Sequence, residues 1–202
     1  SEIGDRRGQA GALHGTAGAH VKAKIAGDEI EQDAWLVAAH EAAKIFQELR
    51  LRKVEIWERC CIAQWTLLDN PRKALRLAQE ALLMSRELGS MQESSALGIV
   101  VSAHLAIKDT NKSFMEKEAI QAVKVAKDGL KRFRSKGDKL GEAQALLVLV
   151  LAHLATKEHE QAFKAAEQAK SLFEDLGDNA NEALALQMMA QLQLKKQQPD
   201  KA

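Results

Sequence analysis

The residues best suited to chemistry are two histidines, two cysteines and one short acidic cluster. His104 and His153 recur inside the same tetrad, Ala-His-Leu-Ala, at Ala103–Ala106 and Ala152–Ala155. Imidazoles at matched positions could share a metal ion, but every ligand must lie within about 2 Å of the ion. Neighbouring packed helices hold equivalent positions about 10 Å apart. Both histidines are therefore expected to be half-buried packing residues. Cys60 and Cys61 are adjacent on a predicted helix, where successive side chains point about 100° apart and an ordinary disulfide is disfavoured. They read as core packing and favour a reducing compartment. Glu158-His159-Glu160 reads as a solvated helix start, where acidic side chains suit the helix dipole. No Gly-rich phosphate loop, GxSxG, HExxH or CxxC is present. The expectation is no catalytic, cofactor-binding or metal-binding residue, and no enzyme.

Charge is more informative. The formal net charge is +1, so no bulk field draws the chain to nucleic acid or anionic lipid. Locally the balance changes. Over residues 115–140, Lys117, Lys124, Lys127, Lys131, Arg132, Arg134, Lys136 and Lys139 outnumber Glu116, Glu118, Asp128 and Asp138 two to one. Over 157–182, Lys157, Lys164 and Lys170 face Glu158, Glu160, Glu167, Glu174, Asp175, Asp178 and Glu182. Solvated helix faces explain such runs; the other reading is an electrostatic patch for an acidic partner at Lys124, Lys127, Lys131, Arg132 and Arg134. Nucleic acid is not expected, since no aromatic residues interleave with the lysines.

The elements that must position these residues are helices. The 202 residues are 46% hydrophobic but only 4% aromatic, with two prolines and no tyrosine, in an Ala-, Leu-, Lys-, Glu- and Gln-rich vocabulary. The 3.6-residue period predicts helices over about 29–49, 53–68, 71–88, 92–107, 113–135, 139–156, 158–176 and 179–196. Asn70-Pro71 and Gly89 bracket the third, and Ser113 is a candidate cap for the fifth. The apolar run Ala145–Ala152 is far shorter than the roughly 20 residues a bilayer requires. Residues 1–27 differ in composition: Gly4, Gly8, Gly11, Gly15 and Gly18 are spaced 4, 3, 4, 3. The segment reads as a flexible arm, or as a helix with one bare face that lets another backbone approach.

The helices repeat. Gly137, Glu142 and Ala145 return as Gly177, Glu182 and Ala185, a period of the length expected for stacked helical pairs. Trp35/Ala39/Ala42, Ala74/Ala78/Ala81, Ala122/Ala126/Gly129 and Ala162/Ala166/Ala169 share the spacing 4 then 3, a narrow strip where a neighbouring helix can come close. Phe46, Phe133 and Phe173 follow four residues later in three of them.

At these residues the chain resembles the tetratricopeptide repeat family, in a long subtype of about 40 residues. The small positions of the family's second helix fall on the Ala triplets. Its first-helix positions fall on Leu97, Val100, Val101 and His104, on Leu146, Leu149, Val150 and His153, and on Cys61, Ile62 and Trp65. The usual Gly, Tyr and Pro of the family are replaced or absent. The resemblance covers about residues 29–196: three full pairs, one lone second helix before them and one lone first helix after. It implies an all-α, right-handed α-solenoid of antiparallel helix pairs. It further implies a concave groove faced by Gln144, Leu147, Leu151 and Leu154, with Arg59, Ser95, Gly98, Ser102, Gln144, Leu147, Leu151, Gln187 and Gln191 as partner contacts. The family's Lys/Asn clamp for acidic chaperone tails is missing.

Helix 139–156 has no polar face across Leu146–Leu151, so its groove side calls for a cover: the glycine-rich arm, or a partner's amphipathic helix or extended segment. The expected organisation is an arm (1–27), a repeat domain (28–196) and a polar tail (197–202). The expected function is a non-enzymatic protein–protein interaction module with an apolar groove. The alternative is a peripheral subunit of a larger, possibly organellar, assembly held by its arm and convex face. An intracellular location, cytoplasmic or organellar, follows from the cysteine usage. The start at Ser1 fits removal of a methionine, removal of a transit peptide or a trimmed sequence equally.

Overall fold

The computed structural model describes residues 2–28, 34–89 and 91–197, with side chains from Asp5 to Leu194. It is all helical among those residues: α1 Glu2–Ala26, α2 Ala34–Glu48, α3 Arg52–Thr66, α4 Pro71–Leu88, α5 Glu93–Ala106, α6 Lys112–Lys136, α7 Lys139–Ala155, α8 His159–Leu176 and α9 Asn179–Gln197. Two compact units divide at Ile99/Val100, inside α5. The sequence-based helix limits fall within a few residues of these. Residues 29–33, placed at the start of α2 by periodicity, lie outside the described residues, as do 198–202 of the polar tail.

Helix ends follow local chemistry. Asn70 caps α4 by accepting from the Lys73 amide at 2.9 Å, with Pro71 in the first turn. Asp138 caps α7 through the Gly141 amide at 2.8 Å. The cap of α6 corrects an expectation: Asn111, not Ser113, accepts from the Phe114 amide, and Ser113 lies inside the first turn. Gly137 and Gly177 end α6 and α8 with φ of 67° and 70°, a region closed to most side chains.

In unit 1, the first 27 residues are not a loose arm: residues 2–26 form a 25-residue helix. Ala17 and Val21 pack with Trp35, Ala39, Ala43 and Ile62, and Ala10 packs with Ala42, Ile45 and Phe46. Positions rise along α1 as they fall along α2, so the two are antiparallel. Ion pairs set the other neighbour. Arg6 reaches Glu48 at the end of α2, His14 reaches Glu58 of α3 at 2.8 Å, Gly18 faces Trp65, and Lys24 reaches Asp69 just beyond α3 at 2.6 Å, so α1 runs parallel to α3. The lone second helix of the sequence reading thus has its own first helix. The glycine face is not the packed one. A Cβ added at Gly8, Gly11 or Gly15 would meet nothing within 4 Å, and one at Gly18 would touch only the Trp65 ring at 3.7 Å.

In unit 2 the small-residue strips are inside. Ala122, Ala126, Ala162, Ala166 and Ala169 are 0% exposed, and Phe133 and Phe173 close the strips at 2% and 0%. A close approach joins the end of α6 to the start of α7. A Cβ at Gly141 would stand 2.4 Å from Phe133 Cδ1, so only glycine fits there without a shift. Polar clips join successive helices nearby. Arg134 Nε donates to Glu142 at 2.7 Å, and Lys170 pairs with Glu182 at 3.8 Å. In unit 1 the matching pair is Arg86 with Glu93 at 3.3 Å.

Candidate functional site

The site is a cleft of about 410 Å³ between α6, α7 and α8, wholly within unit 2. Two stripes with the same helical spacing make its walls: Lys127, Leu130, Lys131 and Arg134 on α6, and Gln161, Lys164, Ala165 and Gln168 on α8. Residues three and four apart share a helix face, so each wall presents a polar edge over a small apolar patch. Leu146, Leu149 and His153 of α7 form the floor. Leu130, Leu146 and Leu149 are buried. No carboxylate lines the cleft.

Its cations are not equally committed. Arg134 is held by Glu142 and by Gln168, which accepts from the guanidinium at 3.1 Å and bridges the two walls. Lys164 pairs with Glu160 at 2.6 Å, but both side chains are more than half exposed, where such pairs contribute little. Lys127 and Lys131 are exposed and make no ion pair among the described residues. Burial pushes the Glu142 carboxyl up, but hydrogen bonds from Arg134 and Lys139 outweigh it and leave its pKa lowered. The carboxylate therefore stays charged and holds the Arg134 end of the cleft in place. At the other end the hydrogen bond with His153, 2.5 Å long, lowers the pKa of Glu158.

Of the five basic residues marked from sequence, the cleft gathers Lys127, Lys131 and Arg134. Lys124 lies exposed one turn earlier, and Arg132 is half-buried away from the cleft. Lys164, Gln161 and Gln168 were missed because 157–182 reads as an acidic run by count. The stripe 161/164/165/168, with the same i, i+3, i+4, i+7 spacing as 127/130/131/134, was the available signal.

The groove residues implied by the resemblance are scattered in exposure. Ser95, Gln187 and Gln191 are exposed, and Gly98, Ser102 and Gln144 are half-buried. Arg59 is tied to Glu55 at 3.0 Å. Leu151 is 39% exposed, but Leu147 is only 8% exposed, which corrects the expectation that it faces open groove. Leu147 and Leu151 are four apart and share a face of α7; that face is covered at Leu147 and open one turn later at Leu151. The arm offered as a groove cover is spent within unit 1, on α2 and α3.

His104 and His153 are buried rather than half-buried, and each pairs with a carboxylate of the next connection or helix: Glu118 at 2.6 Å and Glu158 at 2.5 Å. Among the described residues no group of three His, Cys, Asp or Glu side chains is placed to hold a metal. In unit 1, Glu58 is 0% exposed. One oxygen meets His14, whose ring lies 4.5 Å from Trp57 and 5.4 Å from Trp65, and the other has no partner. Burial raises the Glu58 pKa against the lowering influence of His14. The nearby thiols are poor nucleophiles: burial pushes Cys60 up to about 11, and burial with the Glu58 charge pushes Cys61 up to about 12. The cluster can fasten α1 to α3 but lacks an activated attacking group.

No described helix is long and apolar enough to cross a membrane. No protein-family model matches the chain. No curated protein sequence matches it. Among solved structures it is similar to the crystal structure of a de novo designed helical repeat protein, with a TM-score of 0.51 and 19% identity, covering 98% of this chain and 94% of that one. At that identity the likeness concerns the fold alone: this is an all-α helical repeat protein.

Proposed function

We propose that the chain is a non-enzymatic protein-interaction module built from tetratricopeptide-like helix pairs, and that unit 2 carries its partner-binding surface. The observation that supports this most is the cleft between α6, α7 and α8: it is open, cationic at the rim and unfilled by the chain's own side chains. Helical repeats offer continuous faces on which a partner helix or extended segment can lie. The residues here suit docking better than turnover, because His104 and His153 are committed to carboxylates and the thiols are held far above neutral pH. Of the groove residues the resemblance implies, Leu151, Gln187 and Gln191 stay exposed and Gln144 half-buried, so they are kept as secondary candidates. The assembly-subunit reading loses support, since α1 is fastened within its own unit by packing and three ion pairs.

The test is affinity isolation with the full chain, Leu151→Asp and Lys127→Glu/Lys131→Glu, each checked for helicity. A specific protein retained by the parent chain and lost from one variant is the expected result. Retention of no protein at comparable amounts, under conditions that keep the helices folded, would end the interaction reading.

A further inference from the structure

The rim of the unit 2 cleft indicates what kind of segment it takes. The inference rests on the interaction reading above and adds the chemistry of the partner. We infer that the cleft between α6 and α8 receives an acidic peptide segment: an aliphatic residue over the α7 floor, flanked by carboxylates that reach the two walls.

Four cationic side chains, Lys127, Lys131, Arg134 and Lys164, stand around one opening with no acid among the lining residues. In a chain whose net charge is +1, that is a local excess rather than a general basicity. Like charges this close repel, and a ligand that supplies carboxylates relieves the repulsion and gains charge-assisted hydrogen bonds. The walls differ in what they can give. Lys127 and Lys131, four apart on α6, are exposed and make no ion pair among the described residues; Lys127 interacts only at longer range with Glu158, so both can take carboxylates spaced one helical turn apart. Lys164 can exchange its exposed intrahelical partner Glu160 for a ligand carboxylate at little cost. Arg134 is already fixed by Glu142 and Gln168, so it shapes the end of the cleft and contributes field.

Between the walls, Leu130, Leu146, Leu149 and Ala165 offer an apolar base. A nucleic acid strand would want aromatic platforms for its bases; among the described lining residues there is no Phe or Trp, and the His153 ring is buried and bound to Glu158. A lipid surface would want cations spread over an exposed face, whereas these converge on an opening. An acidic aliphatic segment matches both the rim and the base.

The experiment pans a random twelve-residue peptide display library on the full chain at about 0.15 M salt. Enriched peptides are then titrated against the parent, against Lys127→Glu/Lys131→Glu, and against Lys112→Glu/Lys117→Glu. The last pair is exposed on the same helix but outside the cleft, so it gives the same net charge without touching the site. The enriched set should carry two or more Asp or Glu around an aliphatic residue. Its affinity should fall at least tenfold with the cleft variant and less than threefold with the control. Two further probes are a single-stranded oligonucleotide and vesicles of anionic lipid, both expected to bind at least tenfold more weakly than the best peptide. A neutral or basic enriched set, equal loss in both variants, or tighter binding of either other probe would overturn the acidic-segment inference. A peptide set that binds elsewhere would leave the interaction reading standing, whereas no enrichment together with no captured protein would remove both.

Discussion

Both units turn some charged side chains inward, but they differ in what is left at the surface. In unit 1, Glu55 and Glu58 are 0% exposed on α3, with Arg52 and Arg59 meeting the first and His14 the second. Charge there is turned inward and fastens the chain to itself. In unit 2 the matching acid, Glu142, is tied to Arg134 and Lys139 at a helix start, while Lys127, Lys131 and Lys164 point out around an open cleft. One helical repeat architecture thus yields a closed ionic seam in one half and an unspent cationic rim in the other. The second gathers exposed cations around a cleft where a partner could meet them.

That contrast is sharpest in what substitution should do. The largest effect is expected in the seam. His14→Ala leaves Glu58 buried without its partner and empties the space between Trp57 and Trp65, so global stability should fall by about 3 kcal/mol. Denaturant unfolding measures the loss, and hydrogen exchange should show α1 opening first. An exposed, unchanged α1 would mean that the pair does not hold the helix down.

Glycine separates the units next. Gly141→Ala sets a methyl group against the buried Phe133 ring and should cost about 1–3 kcal/mol despite the better helix propensity of alanine. Gly8→Ala and Gly11→Ala enter open space and should stabilise α1 by about 0.5–1 kcal/mol each. Thermal unfolding of these single variants should therefore move in opposite directions. Lys127→Glu/Lys131→Glu, at exposed positions outside the core, should shift stability by less than about 0.5 kcal/mol. A large loss would recast the cleft rim as structural.

The pH responses should also diverge, by smaller amounts. The Glu58 pKa is raised, so the stability this group contributes is full at low pH and fades as pH rises through its folded value. The Glu142 pKa is lowered, so its contribution is present at neutral pH and fades as pH falls through the acidic range. Hydrogen exchange between about pH 2.5 and 7 should show Glu58→Gln and Glu142→Gln removing dependences of opposite sign, the first above the ordinary carboxyl range in α3 and the second below it in α7. Dependences of one sign would contradict the division into seam and rim.

Much of this fold was legible in the sequence, because alanine strips closed by a phenylalanine admit few arrangements other than packed helix pairs. Ala122, Ala126 and Phe133, or Ala162, Ala166 and Phe173, could hardly be placed on a solvent face. The first helix was hidden by its own composition. Its packed face is Ala10, Ala17 and Val21, whose weak apolar signal is masked by five glycines on a neighbouring face. The rim was half legible. Lys127, Lys131 and Arg134 share one stripe, but Lys164 sits in a run of net negative charge and joins them only when α8 is laid beside α6. Leu147 shows the converse: an apolar residue on an all-apolar helix gives no sequence clue to which side meets water.

The most direct check is hydrogen–deuterium exchange of the full chain with and without a saturating acidic peptide from the display selection. The account predicts slowed exchange in residues 127–134 and 161–168, with little change in α1 and α9. Protection centred on α1, or spread evenly along the chain, would contradict it.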